Sequence, residues 1–183
     1  TVADYYHLAI YVSGGGTVEL PALRDFRGAV DWRAEDPASR ILLNGWGESM
    51  DNASPALGLI DVRDGAEVLI PAIRRLSRID LTVRDTARFP LSQLQSFVGA
   101  ELSIAARSEN LPALTNLQSS HLSVDNAAQL ILPSITEVAR TNSGSTTFRV
   151  AGTESVLSLP NLTRLRVLDY YQHELVALEG GQL

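Results

Sequence analysis

The chain has 183 residues, 45% of them apolar and 20% charged, and a formal net charge of −6; that length fits one domain or one short solenoid. The acidic balance argues against broad nucleic-acid or anionic-membrane binding, which depends on basic residues neutralising phosphates, and no apolar run approaches the roughly 18 residues of a membrane span. Cysteine is absent, which excludes disulfides, thiolate chemistry and cysteine zinc sites. All fifteen basic residues are arginine, a bias that a GC-rich genome and selection against lysine modification or proteolysis would both produce. The first residues have neither the basic start nor the apolar stretch of a signal peptide, and a leader already removed would leave no trace.

In chain order, Asp4-Tyr5-Tyr6-His7 opens a segment, residues 1–17, that reads as a capping strand and turn. The turn, Ser13-Gly14-Gly15-Gly16-Thr17, lacks the lysine and following Ser/Thr of a phosphate loop and precedes a strand rather than a helix. From residue 18 one unit recurs: Leu20-Pro21-Ala22-Leu23, Ile70-Pro71-Ala72-Ile73, Phe89-Pro90-Leu91, Leu111-Pro112-Ala113-Leu114, Leu132-Pro133-Ser134-Ile135 and Leu159-Pro160-Asn161-Leu162. Leu43-Asn44-Gly45-Trp46 fills the gap between the first two if asparagine takes the proline place. The residue before that place falls at 20, 43, 70, 89, 111, 132 and 159, and self-similarity at a period in the twenties signals a solenoid.

Each motif is followed by a second apolar pulse, such as Val30/Trp32, Ile60/Val62, Leu81/Val83, Leu102/Ile104, Leu122/Val124 and Phe148/Val150. Within a pulse apolar and polar residues alternate, as in a strand with one buried face. Proline lacks an N–H and holds its predecessor extended, which suits a strand end or corner. Each coil is therefore expected to hold two short strands, so that stacked coils form two parallel strips and bury the leucines as interior columns. Links at residues 32–41, 47–55 and 140–147 are expected to bulge as loops. Residues 18–170 carry the repeats, 171–183 read as a cap or tail, and the whole of 1–183 reads as a single domain.

A family resemblance follows from these units. Ile73-x-x-Leu76-x-x-Ile79-x-Leu81-x-Val83 looks like a leucine-rich repeat, and Phe148–Gly152 with Val156–Thr163 resembles the repeats of receptor L domains and related fungal and bacterial surface proteins. Leu122–Asn126 leading into Leu130–Thr136 matches the same template. The resemblance implies a recognition scaffold, with a cell-surface or secreted setting. The cysteine-rich modules that flank receptor ectodomains are missing, and the repeat asparagine occurs only at Asn126 among the aligned coils.

The chemical candidates are few. Asp64, Asp85 and Asn126 follow their strands at equivalent places, either as a column of cation ligands or as a ladder of turn-capping residues. His7, His121 and His173 are scattered without ligand spacing, so no metal and no cofactor is expected. Arginines follow the proline motif at Arg24, Arg27, Arg74, Arg75, Arg78, Arg164 and Arg166. They form either a solvated strip paired with Asp25 and Asp80 or a docking stripe for an acidic partner or glycan. Asp169-Tyr170-Tyr171-Gln172-His173 nearly repeats the opening aromatics, so both ends carry tyrosines suited to capping or to end-to-end contact. Trp32 and Trp46 occupy places elsewhere filled by Val or Ile, which favours core packing over a carbohydrate platform. Asn52-Ala53-Ser54 and Asn161-Leu162-Thr163 fit the glycosylation pattern.

The sequence thus implies a mainly β fold, a right-handed parallel β-solenoid of about seven leucine-rich-repeat-like coils, acting as a non-enzymatic binding or structural module. Its expected partner is a protein or glycan, with no nucleic acid and no membrane insertion. Tyr5, Tyr6, Tyr170 and Tyr171 are the expected anchors, with Arg74, Arg75, Arg78 and Arg149 as further binding candidates and the Thr82, Ser103, Ser123, Arg149 row as a flat strand face. The alternatives are a polysaccharide-active parallel β-helix using carboxylates among Asp61, Asp64, Asp80 and Asp85, and a spacer that assembles through its ends.

Overall fold

The computed structural model describes residues 7–26, 28–53, 57–140, 146–166 and 172–183. Within them the chain winds as a β-solenoid of about seven coils whose strands all pair in parallel. The only helix there is a three-residue 3-10 turn at Leu91–Gln93. Eight strands, one per coil plus a final one, form the long sheet: His7–Val12, Ala29–Ala34, Gly58–Val62, Ile79–Arg84, Glu101–Ala105, His121–Asp125, Thr146–Ala151 and His173–Leu178. The repeat therefore extends at both ends beyond residues 18–170.

Alternation explains the register. One inward column runs Ile10, Trp32, Ile60, Leu81, Leu102, Leu122, Phe148 and Leu175, and a second runs Val12, Ala34, Val62, Val83, Ile104, Val124, Val150 and Ala177. Up to Val150, all are at most 7% exposed, and burying a side chain of this size contributes about 1.5–3 kcal/mol. A strand slipped by one residue would turn its whole apolar set to solvent, so the columns hold the register.

The structure corrects the expected number of strips from two to three. The second strip holds the pre-proline strands Thr17–Glu19, Arg40–Leu42, Glu67–Leu69, Ser108–Asn110, Gln129–Ile131 and Val156–Ser158. A third holds Ser49–Asp51, Arg75–Ser77, Ser96–Val98, Glu137–Ala139 and Arg164–Arg166. Each of its strands has three residues, too few to display a period, with one apolar residue between two others: Met50, Leu76 and Phe97 pair in sequence, as do Val138 and Leu165. The expected loop 47–55 thus contains a strand, and in 32–41 only residues 35–39 lie outside strands. The two shorter strips are not continuous among the described residues. Ladder pairing stops between Arg88 and Ser108 in the second and between Asn116 and Glu137 in the third.

The proline motif is a tight turn. Leu23, Ile73, Leu114, Ile135 and Leu162 each donate a backbone N–H to the carbonyl three residues back, with proline at the second turn position that its fixed φ suits. Trp46 makes the same bond to Leu43 at 3.1 Å, so Asn44 does stand in the proline place. Side chains stitch turns of adjacent coils: Ser134 Oγ donates to the Pro112 carbonyl (2.6 Å) and Asn161 Nδ2 to the Pro133 carbonyl (2.8 Å). The Phe89-Pro90 copy departs, leading into the 3-10 turn instead. Trp32 and Trp46 meet edge to face at 5.5 Å, both buried, so they pack the core and offer no exposed platform.

Gly45 is required by close backbone approach. A methyl group there would lie 2.2 Å from the Pro21 carbonyl oxygen, whereas at Gly47 the nearest atom is 4.0 Å away. Gly45→Ala is therefore expected to cost about 1–3 kcal/mol through overpacking and Gly47→Ala under about 0.5 kcal/mol, as measured by denaturant unfolding. Equal effects would contradict this packing.

Candidate functional site

Alternation that sends leucines inward sends another row outward. On the long sheet that row is Tyr11, Arg33, Asp61, Thr82, Ser103, Ser123, Arg149 and Val176, one residue per coil in direct register. At about 4.8 Å per coil, Tyr11 and Arg149 are six steps or roughly 29 Å apart. Thr82, Ser103 and Ser123 form the low middle that the sequence leads one to expect. The two ends carry larger charged and aromatic groups, and each end has its own hollow.

The hollow near Arg149 has a volume of about 360 Å³. Its floor is Ser103, Ala105 and Ala151, small residues that leave backbone close to the surface, and Arg84, Asp125, Asn126 and Arg149 stand around it. Arg149 Nη1 donates to Asp125 Oδ1 at 2.6 Å, and Ser123 Oγ donates to the other oxygen of the same carboxylate at 2.7 Å. Asp125 is thus held by one neighbour from its own strand and one from the next coil, which fixes the guanidinium over the floor. Asn126 follows at φ 57°, the left-handed conformation that asparagine tolerates.

The hollow at the other end, about 260 Å³, is lined by Tyr11, Ser13, Arg33, Glu35 and Arg63. Tyr11 is 60% exposed. Its hydroxyl donates to Asp31 Oδ2 at 2.5 Å, and the Arg33 guanidinium sits 5.5 Å from its ring centroid while bonding the same carboxylate. Arg63 pairs with Glu35 across the coil. The hydrogen bond to the Asp31 carboxylate raises the Tyr11 phenol above its ordinary value, because the protonated phenol is the donor. Burial pushes the Asp31 carboxyl up, but hydrogen bonds from Tyr11 and Arg33 and the arginine charge outweigh it and leave it lowered.

Of the residues anticipated from sequence, Arg149 lies in this face. Arg74, Arg75 and Arg78 do not: Arg75 belongs to the third strip, and Arg74 and Arg78 flank that strand, four coils from Arg149. Arg75 pairs with Glu48 (3.7 Å), and Arg164 and Arg166 share Glu137 (3.8 and 3.4 Å), so for these three arginines the ionic partners are Glu48 and Glu137. Asp80 instead accepts the Glu101 backbone N–H at 2.8 Å. Tyr5, Tyr6, Tyr170, Tyr171 and Arg27 lie outside the described residues.

Asp64, Asp85 and Asn126 do take equivalent places. Their φ values of 55°, 53° and 57° show that each closes a left-handed turn after its long strand, as a turn-capping ladder requires. Among the described residues, no group of three or more His, Asp or Glu side chains is arranged to hold a metal ion. Tyr11, Asp31, Arg33 and Asp125 were not singled out by sequence reasoning, and Arg84 was expected only as an ionic neighbour of the Asp64, Asp85 and Asn126 turns. The signal was present in Asp31-Trp32-Arg33, where two charges flank an inward tryptophan, but only the register places Tyr11 beside them. No protein-family model, curated protein or solved structure matches the chain.

Replacing Asp31 by Asn should bring the Tyr11 phenol down towards its ordinary value of 10.0. A ¹³Cζ NMR titration, with Tyr11→Phe identifying the resonance, reads this directly, and an unmoved titration would contradict the pairing.

Proposed function

We propose that the chain is a non-enzymatic recognition module that offers the outer face of its long sheet to a protein or glycan partner. One observation carries this reading: a single outward row joins two polar hollows, with Tyr11 and Arg33 at one end and Arg149 at the other. Tyrosine and arginine are the residue types that dominate binding energy at interfaces. The hollow near Arg149 brings together donors (Arg84, Arg149, Asn126) and an acceptor (Asp125), a mixture suited to a hydroxyl-rich ligand. The separation of about 29 Å favours an elongated partner.

The resemblance to leucine-rich repeats and receptor L domains supports the same reading, because solenoids of this kind present regular strand faces for recognition. A secreted or cell-surface setting accompanies that resemblance. Arg74, Arg75 and Arg78 belong to a separate surface in this reading and serve as its internal control.

The test is a screen of the labelled chain against arrayed neutral and uronate-bearing glycans and against displayed peptides. A bound probe should lose at least about tenfold in affinity with Arg149→Ala or Tyr11→Ala, about 1.4 kcal/mol, and should tolerate Arg75→Ala, with unfolding midpoints unchanged. Binding indifferent to both face substitutions, or cleavage of an arrayed glycan, overturns the reading.

A further inference from the structure

At the corner between the long sheet and the second strip, the second, third and fourth coils surround a hollow of about 370 Å³. Small-molecule sites run from roughly 300 to 1,000 Å³, so this one has room for a single small ring. Described coils flank it on both sides, and it shares no lining residue with the two hollows of the outward row.

A one-residue insertion builds its wall. Five residues, 35–39, join the long strand to the second strip in the second coil, where the third coil uses four, 63–66. The longer link carries Pro37 over the next coil: a methyl group on Gly65 would lie 3.6 Å from Pro37 Cα and 3.4 Å from Thr86 Oγ1. Gly65, at φ 84°, leaves that space open as the floor. The wall is also tied down. On either side of Pro37-Ala38, Asp36 Oδ2 accepts the Gly14 backbone N–H and the buried Ser39 Oγ accepts that of Gly15, each at 3.0 Å. A wall fixed before a ligand arrives lowers the ordering cost of binding.

Charge across the hollow is unbalanced. Arg40, Glu67 and Arg88 stand in direct register on successive coils, at about 4.8 Å per step. Arg40 Nε pairs with Glu67 Oε2 at 3.5 Å, which neutralises one of the two cations. The Arg88 guanidinium, on an exposed residue, has no hydrogen-bond or ion-pair partner among the described residues. Glu67 Oε1 is equally unengaged among them. The hollow thus offers a cationic fork, a spare carboxylate oxygen and the Thr86 hydroxyl beside an apolar wall of Pro37 and Ala38.

We propose that this hollow binds a sugar acid, a small ring that carries a carboxylate beside free hydroxyl groups. Arg88 takes the carboxylate through the paired N–H donors of its guanidinium. Ring hydroxyls donate to Glu67 and exchange hydrogen bonds with Thr86, and the C–H face of the ring packs on Pro37 and Ala38. The acidic side chain of a peptide would satisfy Arg88 but bring no donor for Glu67, and a neutral sugar would leave Arg88 unpaired. The site is independent of the outward row of the long sheet.

Two-dimensional ¹H–¹⁵N NMR of the 183-residue chain, titrated separately with glucuronate, galacturonate, trigalacturonate, galactose and glutamate, tests this. At least one uronate should shift the Gly65, Thr86 and Arg88 amides saturably, and galactose and glutamate should bind at least tenfold more weakly. Binding of trigalacturonate supports a polysaccharide source, and binding of the monomers alone supports free sugar acids. Arg88→Gln should weaken the bound uronate at least tenfold, and Arg88→Lys, which keeps the charge but loses the fork, should weaken it less. Thr86→Val should weaken it as well, and Arg75→Ala should leave it unchanged, with far-ultraviolet circular dichroism the same for every variant. The Tyr11 and Arg149 amides report the outer face separately, so either site can fail without the other. No saturable shift with any uronate, equal binding of galactose or glutamate, or indifference to Arg88→Gln overturns the proposal.

Discussion

No coil of this protein can bury its own apolar residues, and everything else in the structure depends on that. A single turn carries only a few inward side chains and a ring of unpaired backbone groups. Stacking a second turn on it satisfies both at once, because parallel pairing places like residues over like. The columns that run from Ile10 to Phe148 and from Val12 to Val150 are the result. Variation within them is absorbed locally. Trp32 sits two residues from the small Ala34, and Gly58 lies between Val30 and Ile79, where a methyl group would meet each at 3.1 Å.

The same constraint arranges the outer face. Strand alternation that commits one set of residues to the interior leaves the other set in rows, and the constant register turns residues twenty or more positions apart into neighbours. Asp125 is gripped by Ser123 from its own strand and by Arg149 from the next coil. Tyr11 and Asp31 meet in the same manner. A surface of this kind is positioned by the core without any loop needing to fold over it, so its side chains are held on rigid strands.

Much of this was legible in the sequence, and the reasons differ by element. The proline turns announced the coils because one rigid residue type performs one geometric task, and even Asn44 was recognisable by its place. Long-sheet strands were legible because five or six residues display a period of two. The third strip was hidden because Arg75-Leu76-Ser77 and its equivalents contribute one inward residue each, and Ile73, Leu76 and Ile79 then merge into one apolar pulse. The outward row of the long sheet was only half visible. Arg149 stood out on an aligned strand, whereas Tyr11 lies within the segment read as a cap, and its partners emerge only once coils are placed in register. The arginines near the third strip looked like one stripe in sequence, yet Glu48 and Glu137 partner Arg75, Arg164 and Arg166 there.

The interrupted strips have a mechanical meaning. In a one-dimensional stack, the coupling between neighbouring turns sets how far a local opening spreads. Between Arg88 and Ser108 the second strip loses its ladder, and there Arg107 and Glu109 form an ion pair at places where the next coil has Ala128 and Leu130. One coil later the third strip is broken as well. Across this stretch the long sheet alone runs without a gap. The solenoid is therefore expected to bend and open most readily near its middle, and the hollow near Arg149, lined by Arg84, Ser103 and Asp125, spans that stretch while the hollow near Tyr11 lies to one side of it.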